Sequence, residues 1–259
     1  MRVSAAGFAG GDRTSLDLPA PQEQLLERVT AVGKPTVLVL MSGSALSINW
    51  ADQHVPAIVE AWYPGGQGGA AVASMLAGDF SPAGRLPVTF YKSVDQLPAF
   101  TDYSMAHRTY RYFDGEVLYP FGYGLSYTTF SYANARVSAP RVRANGHVTV
   151  SVDITNSGAM DSDEVAELYL THPGVAGAPI RALVGFQRVH LARGETKTVQ
   201  FTLSDRALSI VDPTGQRRIV PGQVNVWIGG GQPVSRAGLA QPAGASTQFR
   251  LTSAATLPN

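Results

Sequence analysis

Four groups of residues in this chain have the side-chain types for chemistry. Gly10-Gly11-Asp12-Arg13 sets adjacent opposite charges after a flexible pair, which suits either a structural ion pair or a contact to a polar substrate. Gly66, Gly68 and Ala71 match the G-x-G-x-x-A turn that cradles phosphates, and they follow a strand-like run and open a helical one. A dinucleotide site also needs an acidic residue where the next strand ends. Here that run ends at Tyr91, Lys92 and Ser93, with Asp95 coming late. Close packing in a tight turn calls for the same glycines on steric grounds alone. Asp161, Asp163 and Glu164 begin like a calcium loop, but Ala166 stands where that loop needs Gly and His172 where it needs Glu. A polar hairpin loop is the expectation there. Tyr103, Tyr110, Tyr112, Phe113, Tyr119, Phe121 and Tyr123 could face a sugar, or could pack a core and a domain boundary.

Other chemistries lack their parts. His54, His107, His147, His172 and His190 are never two or four residues apart, so no metal-ligand spacing exists. Neither Ser44 nor Ser47 lies in a G-x-S-x-G elbow. Zero Cys removes disulfides, thiolate zinc sites, iron–sulfur clusters and a Cys nucleophile. Lys+Arg 20 against Asp+Glu 19 leaves a net charge of +1 with no basic run, so a nucleic-acid partner is not expected. The strongest apolar run, Thr36 to Met41, is far short of the ~20 residues of a membrane span. The first 14 residues are too weakly apolar for a signal peptide, and no membrane association is expected. Compartment stays unassigned. The 44% apolar content of 259 residues is ample for a core, and 15% charged residues is low.

The elements that must position these residues change character near residue 130. Before it, helical and strand-like segments alternate. Leu25, Leu26, Val29 and Val32 recur at helical spacing behind Pro21, and Gly33 stops them. Thr36 to Met41 suits a strand covered on both faces, as in a parallel sheet. Ala70 to Ala77 reads as a helix stopped by Gly78, and Leu86 to Tyr91 as a strand start or edge because of Pro87. From Val148 onward the period is two: Val148, Val150, Val152 and Ile154; Val199, Phe201 and Leu203; Val224, Val226 and Ile228. With Glu164–Thr171, Ile180–Val189, Ala207–Val211 and Ser246–Leu251, this predicts a sandwich of about seven strands. Phe121 to Phe130, rich in Gly and aromatics, reads as a packed connector. The fold class expected is an incomplete α/β layer with a mostly parallel sheet over 1–125, then an all-β sandwich over 126–259.

Several stretches then resemble one family: Gly11–Pro19, Gly33–Leu40, Ile48–Ala51, Ala61–Gly65, Gly68–Ala70, Gly84–Phe90, Arg108–Tyr112 and, most specifically, Tyr119–Phe130 (YPFGYGLSYTTF). In consistent order they resemble family 3 glycoside hydrolases of the bacterial β-xylosidase and β-glucosidase branch. Thr155–Gly158 and Asp163–Leu170 are similar to that family's fibronectin-III-like domain. The resemblance implies retaining hydrolysis of non-reducing terminal β-D-glycosyl residues, acting on a β-linked oligosaccharide or aryl glycoside, without metal or organic cofactor. It also implies a catalytic barrel bearing an Asp nucleophile, which this chain lacks, and an acid/base Glu shortly before the Gly-Asp-Arg stretch. Residues 1–11 contain no Asp or Glu.

No catalytic residue is therefore assigned. Giving either carboxyl role to Asp12, Asp17 or Glu60 would be arbitrary, and Asp12 and Arg13 are expected to be substrate-proximal and to position the acid/base loop. The chain is read as a C-terminal piece, inactive unless a barrel domain or partner chain supplies both carboxyls. Residues 1 to about 125 are expected to be marginal alone, because an incomplete parallel sheet exposes its edges. The alternative is a non-catalytic accessory module binding carbohydrate or protein through the sandwich; a nucleotide-binding α/β protein is a third reading.

Overall fold

The computed structural model describes residues 14–234 and 236–258. Its first part runs α1 (Ala20–Thr30), β1 (Val37–Leu40), α2 (Asn49–His54), β2 (Ala57–Glu60), α3 (Gly68–Ala77) and a short α4 (Thr109–Tyr112). The second part holds β3 (Phe130–Val137), β4 (Arg141–Val142), β5 (Val148–Asn156), β6 (Ser162–Thr171), β7 (Ala182–Leu191) and β8 (Thr196–Leu203). A helical turn, α5 (Asp205–Leu208), precedes β9 (Ile210–Val211), β10 (Arg217–Ile219), β11 (Gly222–Gly229), β12 (Gly244–Leu251) and β13 (Ala255–Leu257). No helix among the described residues is long and apolar enough to cross a membrane.

In the first part β1 and β2 pair in parallel, Val37 opposite Ala57 and Leu40 opposite Glu60. Leu26, Leu40, Leu46, Ile48, Ala51, Val55, Phe90 and Leu118 form its core. Gly78 ends α3 in the left-handed region at φ +81°, which lets its N–H return to the Met75 carbonyl. Three expectations need correction. The strand at 37–40 is not covered on both faces: Val37 and Met41 are exposed. Leu86 to Tyr91 forms no named strand: it pairs at its two ends, through Leu86 with Gly122 and Tyr123 and through a bridge from Phe90 to Tyr119, consistent with the missing N–H of Pro87 between them. Ala207 to Val211 begins as a helical turn, and its strand starts at Ile210. The spacing in α1 is helical as expected, but only Leu26 is buried, while Leu25 and Val29 are exposed, as is Val32 in the turn beyond the helix end.

The second part is a sandwich. A five-stranded sheet in the order β4-β12-β11-β6-β7 faces a three-stranded sheet in the order β3-β5-β8, with β13-β10-β9 at one end. The period-two residues supply the filling. Val148, Val150, Val152 and Ile154 meet Ala166, Leu168, Leu170, Val224, Val226 and Ile228 in one buried core. Asn156 closes the β5 end. Its Nδ2 donates to the carbonyls of Met160 (2.8 Å) and Leu191 (3.0 Å), and its Oδ1 accepts from Thr128 Oγ1 (2.7 Å). A Cβ on Gly158 would lie 2.2 Å from Thr128 Oγ1. The Thr155–Gly158 motif is thus a clamp between the sandwich and the connector.

Candidate functional site

The connector is built around two glycines. Gly122 has φ +78°, and a Cβ there would sit 2.3 Å from Glu167 Oε2 and 2.8 Å from the Tyr169 hydroxyl. A Cβ on Gly124 would sit 2.2 Å from the carbonyl of Gly84. The aromatics around them pack: Tyr110 stacks on Phe121 at 4.3 Å and Tyr119 on Tyr123 at 5.8 Å. Gln232 Nε2 donates to the Phe121 carbonyl (2.9 Å). These contacts dock the first part on the outward face of β6 and on residues 230–232, which follow β11.

Two ion-pair networks cross the same boundary. Arg85 Nη2 donates to Glu164 Oε2 at 2.7 Å, and its Nε to the Gly230 carbonyl at 2.8 Å. Tyr132 donates to the other oxygen of Glu164 (2.7 Å). Burial pushes the Glu164 carboxyl upward despite the opposing pull of Arg85. Next to it on β6, Glu167 accepts from Tyr169, and burial pushes its carboxyl up to about 7. In the second network Arg236 grips Asp52 with two bonds of 2.9 Å, and Tyr119 donates to Asp52 Oδ1 at 2.6 Å. Burial works against that carboxylate, but the Arg236 and Tyr119 hydrogen bonds outweigh it and hold Asp52 below its ordinary range. Both networks hold the two parts together, and all their charged groups are engaged.

A groove of about 820 Å³ lies elsewhere, between Thr14–Leu16 and the loop 94–108. Its floor follows directly on Asp12 and Arg13, which themselves lie outside the described residues. Arg108 shapes its rim by donating to the carbonyls of Ser104 (3.0 Å), Ala99 (3.2 Å) and Asp102. His107 and Thr109 adopt positive φ, +55° and +58°, unusual for non-glycine residues and costly for a β-branched one. The rim so held presents Phe100 and Tyr103, the latter 82% exposed. Leu16 is tied inward, its carbonyl accepting from Ser47 N (2.8 Å). The groove thus offers aromatic faces beside Asp102 and Arg108, a combination that suits a polyol.

The remaining sequence candidates separate clearly. Gly68 is a packing residue, since a Cβ there would lie 2.4 Å from Pro64 Cγ. Asp163 pairs with Arg188 (2.6 Å) and His190 (2.8 Å), and Asp161 accepts from Arg193 N (2.7 Å), so this stretch is a polar hairpin. Among the described residues, Asp17 bonds only within its own turn, to Ser15. Glu60 ends β2; burial raises its carboxyl, and its Oε1 accepts from Trp62 N (2.9 Å). No hydrogen bond or ion pair joins Asp17 to Glu60 among the described residues, and no three His, Cys, Asp or Glu side chains gather as a metal site there. Glu167 escaped the sequence reading, and Glu164, expected in a polar hairpin loop, is instead buried within β6. Their signal was a charged residue at each parity of an otherwise apolar strand.

Comparison with known proteins locates these features. Residues 3–127 match the glycosyl hydrolase family 3 C-terminal domain, and residues 164–232 the fibronectin type III-like domain. A xylan 1,4-β-xylosidase from Xylanibacter ruminicola is 43% identical over 230 residues, covering 88% of this chain and 26% of the relative. A periplasmic β-glucosidase from Salmonella typhimurium is 39% identical, covering 84% of this chain and 30% of the relative. The solved β-glucosidase of Kluyveromyces marxianus superposes with a TM-score of 0.82 at 28% identity, over 95% of this chain and 30% of that one. The chain therefore spans under a third of the length of these proteins.

Proposed function

Because this chain belongs to glycosyl hydrolase family 3, as the family's C-terminal α/β domain followed by its fibronectin-III-like domain, we propose that it serves an exo-acting, retaining β-glycosidase. The reaction is hydrolysis of non-reducing terminal β-D-xylosyl or β-D-glucosyl residues, in keeping with relatives named β-xylosidases and β-glucosidases. Retention needs two carboxyl groups about 5–5.5 Å apart, one attacking the anomeric carbon, the other protonating the leaving oxygen and then deprotonating water. Both are supplied in this reading by a barrel domain, in the same polypeptide or a partner chain, and by the acid/base loop. Asp12 and Arg13 position that loop, and the Phe100–Tyr103 rim flanks the sugar. Residues 1–125 and 126–259 act as two units, the first completing the active site and the second bracing it.

The observation that carries this reading is the groove beside Thr14 and Leu16, set in a unit whose apolar surface is open. Leu25, Val29, Val32, Val37, Met41, Leu76 and Phe80 are all exposed in the first part. Isolated apolar residues on a surface are ordinary, but a parallel sheet of two strands with an outward apolar helix stripe asks for cover. A barrel and additional strands would provide it.

The test is a chimera in which this chain replaces the matched 230 residues of the Xylanibacter ruminicola β-xylosidase. Nitrophenol release from aryl β-xyloside and β-glucoside is measured for the chimera and for this chain alone. Turnover by the chimera with none by the chain is the expected result, and the substrate ratio identifies the sugar. A folded chimera that cleaves neither substrate, or turnover that co-purifies with the chain alone, overturns the proposal.

A further inference from the structure

The outward face of the five-stranded sheet carries a second concavity, about 720 Å³, which shares no lining residue with the groove at Thr14. Strand register creates it. On β11, Gln223, Asn225 and Trp227 point to one side, because Val224, Val226 and Ile228 fill the core on the other. Across the ladder, Asn225 lies opposite Gln248 on β12 and Thr171 on β6, and Trp227 lies opposite Ser246. The result is a tryptophan ringed by amides and hydroxyls, with no charged side chain in the lining.

The indole is fixed flat against backbone. A Cβ on Gly244 would lie 2.2 Å from Trp227 Cζ2, and one on Gly229 would lie 2.8 Å from Nε1. The ring N–H is spent on the Gly231 carbonyl at 2.9 Å. Two glycines therefore keep open the bed in which the ring lies, and its half-buried state leaves part of it facing the concavity. The amides are prearranged as well. Gln223 Nε2 donates both to Asn225 Oδ1 (2.6 Å) and to Gln248 Oε1 (2.9 Å). That leaves the Asn225 and Gln248 amide N–H groups and Gln223 Oε1 without a hydrogen-bond partner among the described residues.

We propose that this cleft is a binding site for a neutral β-linked oligosaccharide, which stacks the apolar face of a pyranose on Trp227 and bonds its hydroxyls through Asn225, Gln223 and Gln248. Absence of charge in the lining argues against acidic glycans, phosphates and charged peptides, whose burial there would go unpaired. A rigid aromatic plane beside paired amide donors and acceptors matches a ring with one apolar face and an equatorial rim of hydroxyls. The volume lies within the range of small-ligand sites. The β-linkage and the xylo- or gluco-configuration rest on the family reading above; the neutral polyol class rests on the cleft alone. The site would keep a longer substrate near the enzyme by raising its effective concentration.

The full chain, titrated with xylohexaose, cellohexaose and, for contrast, the α-linked maltohexaose, tests this by heteronuclear NMR. Binding is expected to shift the Trp227 indole and the Asn225 and Gln248 side-chain amide signals, with the β-linked sugars only. Asn225→Ala and Gln248→Ala, at exposed sheet positions that leave the fold intact, should each weaken binding by about fivefold to tenfold. Unchanged spectra with all three sugars, or affinities indifferent to both substitutions, overturn the site. Equal binding of maltohexaose overturns its β-selectivity. A chimera that hydrolyses aryl glycosides while this cleft binds nothing would sink this inference alone; a cleft that binds while the chimera stays inactive would sink the glycosidase reading alone.

Discussion

Glu167→Gln isolates the cost of one buried carboxyl at the boundary between the two parts. Glu167 and Tyr169 are both buried where Gly122 presses on β6, and burial moves the Glu167 carboxyl from its ordinary 4.5 up to about 7. The folded chain thus prefers the protonated acid. The stability it brings is complete below the unfolded value of 4.5 and is lost as pH rises through about 7. At ~1.4 kcal/mol per tenfold, the difference amounts to about 3 kcal/mol by pH 8. Glu164 is displaced in the same direction by its burial. His172 works the other way: burial holds its imidazole below the ordinary 6.5, so it costs stability as pH falls. Glutamine keeps the acceptor for Tyr169 and never ionises, so the difference between variant and parent isolates Glu167 from both neighbours. Urea unfolding, followed by circular dichroism, should give matching midpoints at pH 4, below the unfolded value. At pH 8 the variant midpoint should be higher by roughly 1–3 M. Parallel pH profiles for the two proteins, or a parent that gains on the variant as pH rises, would refute the reasoning.

Two further outcomes follow from the packing. Gly122→Ala places a Cβ on Glu167 and Tyr169 at a left-handed φ, whereas Gly33→Ala meets only the φ cost, with open space around it. Strain plus overpacking should cost the first about 2–5 kcal/mol and the second about 1–2 kcal/mol; equal melting temperatures for the two variants would contradict the close approach. Amide exchange in the isolated chain should be roughly 100-fold faster in β1 than in the Val148–Ile154 stretch of β5, because β1 has one strand neighbour and an exposed first residue while β5 is paired on both sides. Comparable protection would show that the first part is stable without further cover.

Periodicity carried most of the second part. The alternation at Val148–Ile154, Val199–Leu203 and Val224–Ile228 is local and needs no knowledge of partners, and each run became a core strand. The short β9 and the bridged stretch at Leu86–Tyr91 read poorly, because a few apolar residues can line a helical turn, a bridge or a strand equally well. Helix α1 shows the converse. Its spacing was legible, yet nothing in Leu25 and Val29, or in Val32 just past the helix, says whether another surface covers them.

The candidate sites divide in the same way. Asp12 and Arg13 stand out by charge and by the family pattern, and the groove that begins at Thr14 adds Phe100 and Tyr103 from a loop more than 80 residues away. Arg85 meets Glu164 across 79 positions, and Arg236 meets Asp52 across 184, separations at which no spacing rule operates. Sequence alone determined the change from mixed α/β to all-β, the turn glycines, the lack of metal-ligand spacing and the family, because each is written in neighbouring residues. Only the tertiary structure decided which glycines are required by close approach, which carboxyls lose their water, and that Trp227 lies flat among the amides of two strands. Burial and contact are properties of surfaces that the chain assembles from distant segments.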